Sequence, residues 1–218
     1  MKSSSAAAGA WRGLYAITPD WSDSRRLLET AEAILAAGCR WLQYRNKATS
    51  DCHRQEQAVA LRGLTRQYGA RLIVNDDLDL ALFCEADGVH LGEDDGELAK
   101  ARLRLDAAGP GRILGASCYQ RLDLAEAAAK AGADYLAFGS FFASPTKPLA
   151  KRADPALLAA GKAATGLPVC AIGGITPANA GELVAAGADL LAVISALFDA
   201  ADPYKTTRQF QTHFEETP

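Results

Sequence analysis

Histidine is scarce in this sequence, and its cysteines form no recognisable pairs. Only three of the 218 residues are histidine, and no two of the five cysteines stand in C-x-x-C spacing. An odd number of such cysteines favours reduced thiols in a cytosolic protein over a disulfide framework. The sequence also has no Ser-His-Asp arrangement and no zinc-ligand spacing, so it gives no support to a triad hydrolase or a zinc enzyme.

Long apolar runs and an excess of positive charge are absent as well. No segment approaches the roughly 20 apolar residues of a membrane span, and the start, MKSSSAAAGA, lacks the apolar stretch of a signal peptide. The net charge of −3 does not indicate the basic surface with which proteins bind nucleic acid. We therefore expect a cytoplasmic protein without nucleic-acid or membrane partners. Residues 1–10 are expected to form a disordered tail and residues 11–218 one folded domain, and the sequence leaves open whether the chain forms a homo-oligomer.

One local pattern recurs along the chain. A helical stretch ends in Ala-Gly or a similar pair, a polar residue follows, and a short apolar run begins, at 37–40, 85–87, 131–134 and 186–189. Glycine closes a helix in the left-handed conformation and lets the chain enter a strand. The repetition predicts an architecture of alternating helices and strands.

The predicted elements alternate regularly. Short, mostly apolar runs predict parallel strands buried on both faces at 14–18, 41–45, 72–75, 88–91, 113–117, 135–139, 169–172 and 190–194. Helical patterns fill the gaps at 23–37, 51–68, 77–85, 96–104, 122–131, 155–164, 177–186 and 203–214. This order predicts a single-domain (β/α)8 TIM barrel of the α/β class. The rival, an open doubly wound sheet, would place a G-x-G-x-x-G turn after the first strand, where Thr18-Pro19-Asp20 stands instead.

The loops that follow the strands build the reactive face of such a barrel, and here they are rich in charge. Arg45 and Lys47 follow the second strand in alternate positions, so both side chains can project the same way from an extended end. Arginine offers phosphate oxygens a fork of donors, and lysine offers a mobile point charge. A solvated strand end with two cations is the alternative interpretation.

Carboxylates follow the next two strands. Asp76 and Asp77 come after the third strand, and Asp94 and Asp95 come after the fourth. Carboxylates from neighbouring strand ends can share Mg²⁺, which often takes one or two of them plus substrate phosphates. Each aspartate can instead cap the helix that begins nearby. We favour the cap for Asp77 and leave both roles open for Asp94, so Asp76 and Asp95 are the candidate metal ligands.

Hydroxyls and a further cation follow the fifth and sixth strands. Ser117 comes at the end of the fifth strand, where it can donate to a ligand or cap the next helix. The loop after the sixth strand brings Ser144, Thr146 and Lys147 within four residues, which resembles a phosphate grip. The alternative interpretation is a simple turn, which would account for the prolines of this loop but not for its lysine.

Glycine pairs and a strand end complete the set. Gly173 and Gly174 follow the seventh strand, and the eighth ends at Ile194 and Ser195. Paired glycines let backbone N–H groups approach an anion, and barrels often bind phosphate after strands seven and eight. His90 lies within the fourth strand, where we expect a structural histidine. Cations, carboxylates and phosphate grips with little acid–base machinery suit a reaction in which phosphate or pyrophosphate leaves.

Six blocks of the sequence resemble the thiamine-phosphate synthase family. They are 13–19; 43–47, similar to Q-x-R-x-K; 74–76; 88–95, similar to G-V-H-L-G-x-x-D; 139–147, ending in T-K; and 171–175 with 192–195. Their order and spacing agree over nearly the whole chain after the first ten residues. The resemblance implies a Mg²⁺-dependent transferase of thiamine biosynthesis. It would join hydroxymethylpyrimidine pyrophosphate to thiazole phosphate and release pyrophosphate.

The resemblance also implies roles for single residues. Lys147, Arg45 and Ser117 would be catalytic: Lys147 would bind pyrophosphate and favour its departure, and Ser117 would contact the pyrimidine. Asp76 and Asp95 would bind Mg²⁺. The other substrate-binding residues are Gln43, Lys47 and Asn75 for the pyrimidine pyrophosphate, and Ser144, Thr146, Gly174, Ile194 and Ser195 for the thiazole phosphate.

The sequence departs from the family pattern in two loops. Ser140 and Ser144 stand where the loop after the sixth strand usually has proline and threonine, and Tyr119 replaces a histidine after the fifth. These departures concern substrate details more than the reaction. Two alternative functions stay open. One is a thiazole tautomerase-like relative, which would not need the carboxylates and relies on a histidine near position 119. The other is a non-catalytic sensor that binds a phosphorylated thiamine precursor.

Overall fold

The computed structural model describes residues 11–143 and 152–215. The predicted tail at 1–10 lies outside these residues, as do residues 144–151 of the loop after the sixth strand and residues 216–218. None of the described helices has the length and apolar character needed to cross a membrane.

Strands and helices alternate through the described part of the chain. The strands are β1 Gly13–Ile17, β2 Trp41–Tyr44, β3 Arg71–Asn75, β4 Gly88–Leu91, β5 Ile113–Tyr119, β6 Tyr135–Gly139, β7 Val169–Ile172 and β8 Leu190–Val193. The helices are α1 Ser24–Ala36, α2 Asp51–Gln67, α3 Leu78–Phe83, α4 Leu98–Ala107, α5 Leu122–Lys130, α6 Ala156–Thr165, α7 Ala180–Ala185, α8 Ser195–Phe198 and α9 Pro203–Glu215.

The strands form one closed parallel barrel. Each strand pairs with its neighbours in sequence, and β1 closes the ring by pairing with β8. This topology confirms the predicted (β/α)8 barrel and excludes the open doubly wound sheet. All carboxyl ends of the strands therefore point to the same end of the molecule.

The core has two layers because alternate residues of each strand face opposite ways. One apolar cluster fills the barrel interior and includes Tyr15, Trp41 and Tyr135. The other lies between the barrel and the surrounding helices. Trp11 packs on Trp41, the first residue of β2, with ring centroids 4.9 Å apart. The rings of Trp11 and Trp41 fill the amino end of the barrel. The carboxyl end is left to form a cavity.

Local hydrogen bonds explain where several helices begin. Asp23, Ser50 and Asp77 each cap a helix by accepting from the backbone N–H three residues later, at 3.0, 3.4 and 2.8 Å. The predicted cap role of Asp77 is therefore confirmed. Side chains of this type satisfy N–H groups that have no partner inside the helix.

Some predicted helix boundaries are wrong. α4 begins two residues after 96 because Gly96 has a φ of 119°, and it continues to Ala107. α7 begins at Ala180 rather than 177, because Oδ1 of Asn179 accepts from the N–H of Thr176 at 2.8 Å and holds the chain in a turn. α8 was not predicted, since four residues are too few to show a helical period.

Candidate active site

A cavity of about 730 Å³ opens at the carboxyl ends of the strands. It brings together ten of the candidate site residues: Gln43, Arg45, Lys47, Asn75, Asp76, Asp95, Ser117, Gly174, Ile194 and Ser195. The other three, Ser144, Thr146 and Lys147, lie outside the described residues. The individual roles of all thirteen stay predictions.

Asp20, in the loop after β1, holds Arg45 at the cavity. Its Oδ2 accepts from Nη1 of Arg45 at 2.8 Å, and its Oδ1 accepts from the backbone N–H of Lys47 at 2.7 Å. The hydroxyl of Thr18 donates to the carbonyl of Arg45 and accepts from its N–H, both at 2.8 Å. The loop after β1 therefore fixes the backbone and one edge of the guanidinium, and a fork of donors is presented at a defined place.

Lys47 reaches from the end of β2 to the end of β3. Its Nζ lies 2.7 Å from Oδ2 of Asp76. The backbone of Asp76 has a φ of 64°, a left-handed conformation that aspartate adopts more readily than most residues. Its N–H donates to the carbonyl of His90 at 2.8 Å. The carboxylate of Asp76 is thus fixed by its own backbone and paired with a cation from the neighbouring strand end.

Asp95 approaches Asp76 from the loop after β4. It is exposed, and its Oδ2 accepts from the N–H of Gly92 at 2.8 Å. Partial burial and the hydrogen bond with Asp76 raise the pKa of Asp95. Partial burial also acts to raise the pKa of Asp76, but the hydrogen bonds with Lys47 and Asp95 and the charge of Lys47 outweigh it and lower that pKa. Two carboxylates this close favour a shared proton or a cation between them.

This pair of carboxylates fits Mg²⁺. Within residues 11–143 and 152–215, no group of three or more His, Cys, Asp or Glu side chains could hold a metal ion. The described side chains therefore build no cage made of protein ligands alone. Mg²⁺ commonly takes one or two carboxylates and completes its shell with water and substrate phosphates, and Asp76 and Asp95 line the same cavity as Arg45 and Lys47.

Ser117 contacts a buried histidine and does not cap a helix. β5 continues to Tyr119, so Ser117 lies inside a strand. Its Oγ lies 2.9 Å from Nε2 of His90, whose Nδ1 lies 2.8 Å from the hydroxyl of Tyr135. Burial lowers the pKa of His90 to about 4, against a smaller opposing effect of Asp76, so the imidazole is neutral at neutral pH. Both ring nitrogens have partners, as expected of a structural histidine.

The loop after β7 requires its two glycines. Gly173 and Gly174 have φ values of 106° and 63°. A Cβ at Gly173 would collide with Ser140, and a Cβ at Gly174 would collide with the carbonyl of Ala143. Both obstacles belong to the loop after β6. The two loops are therefore in close contact, and both glycines, which have no side chain of their own, border the cavity.

Three residues that line the cavity or contact its lining residues were not predicted from the sequence. Asp20 follows β1, so the rule that residues after the strands face the site could have identified it. Tyr15 and Tyr135 lie within strands and are buried, where an aromatic side chain is ordinarily part of the core. Nothing in the sequence pattern distinguishes these two tyrosines from their apolar neighbours.

Barrels of this architecture carry their reactions at the carboxyl ends of the strands. At that end, this barrel collects charged and backbone groups suited to anionic ligands. Fold and cavity together define a (β/α)8-barrel protein of the class that handles phosphorylated small molecules.

Comparison with known proteins narrows this class to one family. The profile of the family described as Thiamine monophosphate synthase matches residues 14–197. A thiamine-phosphate synthase of Thiobacillus denitrificans is 54% identical over 206 residues, covering 94% of this chain and 96% of that protein. One of Methylobacillus flagellatus is 54% identical over 203 residues, covering 93% and 95%. The chain belongs to the thiamine monophosphate synthase family.

A solved structure agrees with this assignment. The thiamine phosphate pyrophosphorylase of Pyrococcus furiosus superposes on this chain with a TM-score of 0.83 at 36% sequence identity. The alignment covers 95% of this chain and 98% of that one. The similarity therefore extends over the whole barrel.

Proposed function

We propose that this protein is a transferase that condenses hydroxymethylpyrimidine pyrophosphate with thiazole phosphate, yielding thiamine phosphate and pyrophosphate. The observation that carries the proposal is that ten residues expected at the substrate and metal sites line one strand-end cavity. Membership of the family and the names of the relatives support the same reaction.

The reaction needs charge stabilisation more than proton transfer. The bond between the pyrimidine methylene carbon and a pyrophosphate oxygen breaks, and the thiazole nitrogen forms a new bond to that carbon. Pyrophosphate leaves with the bonding electrons, so negative charge grows on it. Arg45 and Lys47 would stabilise this charge from the end of β2, and Lys147, by resemblance, would do so from the loop after β6.

We assign Asp76 and Asp95 to Mg²⁺. When bound, Mg²⁺ neutralises the charge of the pyrophosphate as a Lewis acid. The raised pKa of Asp95, caused by partial burial and by its neighbour Asp76, supports this assignment because it marks a place where a second positive charge is favourable. Lys47 already balances Asp76.

Orientation of the two substrates is the other contribution of the site. Gln43 and Ser117 would hold the pyrimidine ring, and Asn75 would contact its pyrophosphate. Gly174, Ile194 and Ser195 would hold the thiazole phosphate. The first set comes from β2, β3 and β5, and the second from β7 and β8 or the residues that follow them. The substrates would therefore meet across one cavity.

A product assay tests the proposal. Purified protein is mixed with both substrates and Mg²⁺, and thiamine phosphate and pyrophosphate are quantified by mass spectrometry. Equal amounts of both products are expected, with none when either substrate is omitted or when EDTA is added. Absence of thiamine phosphate in the complete mixture would overturn the proposed reaction, and undiminished product in EDTA would overturn the metal assignment.

The same assay separates the two alternative functions. A tautomerase-like protein would convert a thiazole precursor without the pyrimidine and without metal. A sensor would bind the precursors and form no product. The paired carboxylates favour the synthase over both, since simple phosphate binding needs no metal site, and Tyr119 at the cavity wall takes the place of the histidine that the tautomerase relative requires.

A further inference from the structure

A chain of buried hydrogen bonds runs through the barrel and joins two candidate pyrimidine-binding residues. Ser117 contacts His90 at 2.9 Å, His90 contacts Tyr135 at 2.8 Å, and Tyr135 contacts Tyr15 at 2.9 Å. Nε2 of Gln43 then donates to the hydroxyl of Tyr15 at 2.9 Å. The five residues come from β5, β4, β6, β1 and β2, so the chain crosses the floor of the cavity from one wall to another.

Packing alone does not explain the two tyrosine hydroxyls in the middle of this hydrogen-bond chain. Tyr15 and Tyr135 are 1% and 0% exposed and lie among apolar residues of the barrel interior, where phenylalanine would fill nearly the same space without burying a hydroxyl. The fold also makes room for one of them. Gly115 pairs with Tyr135 across β5 and β6, and a Cβ at Gly115 would collide with the tyrosine ring and hydroxyl.

Counting hydrogens fixes the direction of the chain. The amide nitrogen of Gln43 can only donate, so Tyr15 accepts from it. If Tyr15 also accepted from Tyr135, its own hydrogen would be left without an acceptor in the buried chain, which is unfavourable. Tyr15 therefore donates to Tyr135, and Tyr135 donates to Nδ1 of His90. The hydrogen of the imidazole then lies on Nε2 and points to Ser117.

The two ends of the chain consequently face the cavity with opposite polarity. Gln43 uses one of its two amide hydrogens on Tyr15, which fixes the orientation of the amide and leaves its Oε1 as the atom that can accept from a ligand. Ser117 accepts from His90, so its hydroxyl hydrogen is left to donate. Both residues line the cavity. One acceptor and one donor are thus set by three residues that need not touch the substrate.

We propose that Tyr15, Tyr135 and His90 are positioning residues that fix Gln43 as acceptor and Ser117 as donor, and so select an aminopyrimidine ring. The amino group of such a ring donates and its ring nitrogens accept, which matches this polarity. An oxo-substituted ring with a protonated nitrogen presents the reverse pattern. The inference rests on the proposed function for the identity of the ligand, whereas the direction of the chain stands on the hydrogen bonds alone.

Nitrogen-15 NMR of the histidine-labelled protein at neutral pH tests the direction without turnover. The His90 resonances are assigned by their loss in His90→Gln, with His53 and His213 as internal comparisons. The expected result is a single tautomer with its hydrogen on Nε2, and appearance of the other tautomer in Tyr135→Phe. A hydrogen on Nδ1 in the unsubstituted protein, or no change in Tyr135→Phe, would overturn the proposal.

Kinetics test the consequence for the substrate. Tyr15→Phe and Tyr135→Phe should each raise the KM for the pyrimidine pyrophosphate roughly fivefold, about the effect of one hydrogen bond, and leave the KM for thiazole phosphate unchanged. Tyr44→Phe is the matched control, since Tyr44 is also a buried strand tyrosine but donates to Gln57 at 2.9 Å outside the chain. It should leave both KM values unchanged.

The outcomes separate failure of this inference from failure of the proposed function. Equal changes in both KM values, or equal effects of the three tyrosine variants, would show a structural role only and overturn the inference. If the unsubstituted protein made no product while His90 showed the expected tautomer, the proposed reaction would fail and the fixed direction of the chain would stand.

Discussion

Nζ of Lys47 lies 2.7 Å from Oδ2 of Asp76 and joins the ends of β2 and β3 at the cavity wall. The contact makes two neighbouring aspartates unequal. Partial burial acts to raise the pKa of both. The hydrogen bonds with Lys47 and Asp95 and the charge of Lys47 outweigh it at Asp76 and lower that pKa, whereas the neighbouring Asp76 raises the pKa of Asp95 further. The two carboxyls should therefore respond differently to substitution and to pH.

Asp76→Asn and Asp95→Asn should shift the stability of the metal-free protein in opposite directions. A lowered folded-state pKa stabilises the fold above the unfolded pKa, so Asp76→Asn loses stability at neutral pH. A raised folded-state pKa contributes stability only below the unfolded pKa, and that stability is lost as pH rises through the folded-state pKa. The ionised carboxylate of Asp95 therefore destabilises the fold at neutral pH, and Asp95→Asn should raise stability there.

Each substitution should change the free energy of unfolding by less than about 1 kcal/mol because the site is open to solvent. This corresponds to a shift in Tm of about 4 °C at most. Thermal denaturation in EDTA measures it. Asparagine keeps an oxygen for the N–H of Gly92, so the hydrogen bond at Asp95 is retained. Shifts of the same sign for both variants would contradict the opposite pKa directions.

Both aspartates should be required for activation by Mg²⁺. Each asparagine variant should raise the Mg²⁺ concentration needed for half-maximal activity by about 10–100-fold or more, judged from the effect of disturbing groups around a metal. Asp94→Asn is the matched control, because Asp94 is the exposed neighbour of Asp95 and is not among the described residues that line the cavity. An equal effect at Asp94 would point to general surface charge and not to a ligand.

The Mg²⁺ requirement should fall as pH rises through the raised pKa of Asp95. A metal ligand must be deprotonated, so the proton favoured by partial burial and by Asp76 competes with the cation at lower pH. Titration of activity against Mg²⁺ at several pH values measures this. The dependence should flatten in Asp95→Asn, and its absence from the unsubstituted protein would argue against Asp95 as a ligand.

Gly174→Ala should weaken thiazole phosphate binding as well as stability. Gly174 and Gly166 have similar left-handed φ values of 63° and 69°, but only at Gly174 would a Cβ meet a neighbour, the carbonyl of Ala143. Both alanine variants should lose about 1–2 kcal/mol of stability for the backbone conformation. Only Gly174→Ala should lose more and also raise the KM for thiazole phosphate. Identical behaviour of the two variants would contradict a role for this loop in the site.

Arg45→Lys should lower kcat/KM for the pyrimidine pyrophosphate by about 10–150-fold, the loss of a hydrogen bond to a charged group worth about 1.5–3 kcal/mol. Asp20→Asn should cause a smaller fall in the same parameter, because it releases the guanidinium but keeps its charge. Arg25→Lys is the control, since Arg25 is exposed on α1 and pairs with Glu29. Wild-type kinetics in Arg45→Lys would remove this residue from the site.

The sequence predicts those features that depend on neighbouring residues. Caps such as Asp77 act over three residues, and the glycine junctions mark each passage from helix to strand, so the order of the barrel follows from local signals. The rule that strand ends face the site then places Arg45 and Asp76 near each other.

Contacts between residues far apart in the sequence could not be predicted. The bond of Asp20 to Arg45 joins residues 25 apart, and that of His90 to Tyr135 joins residues 45 apart. Parallel strands buried on both faces show no alternation of polar and apolar residues. Inward tyrosines therefore look like any core residue until the register of the barrel is known.

One cavity should hold the pyrophosphate, the metal and the thiazole phosphate together. Crystals grown with Mn²⁺, pyrophosphate and thiazole phosphate, measured for anomalous scattering by manganese, test it most directly. The predicted result is a manganese peak in contact with Asp76, Asp95 and the pyrophosphate, with the thiazole phosphate on the backbone of Gly174 and Ser195 across the same cavity. Manganese away from both aspartates, or phosphates bound on different faces of the barrel, would rule out a shared site for the two substrates and the metal.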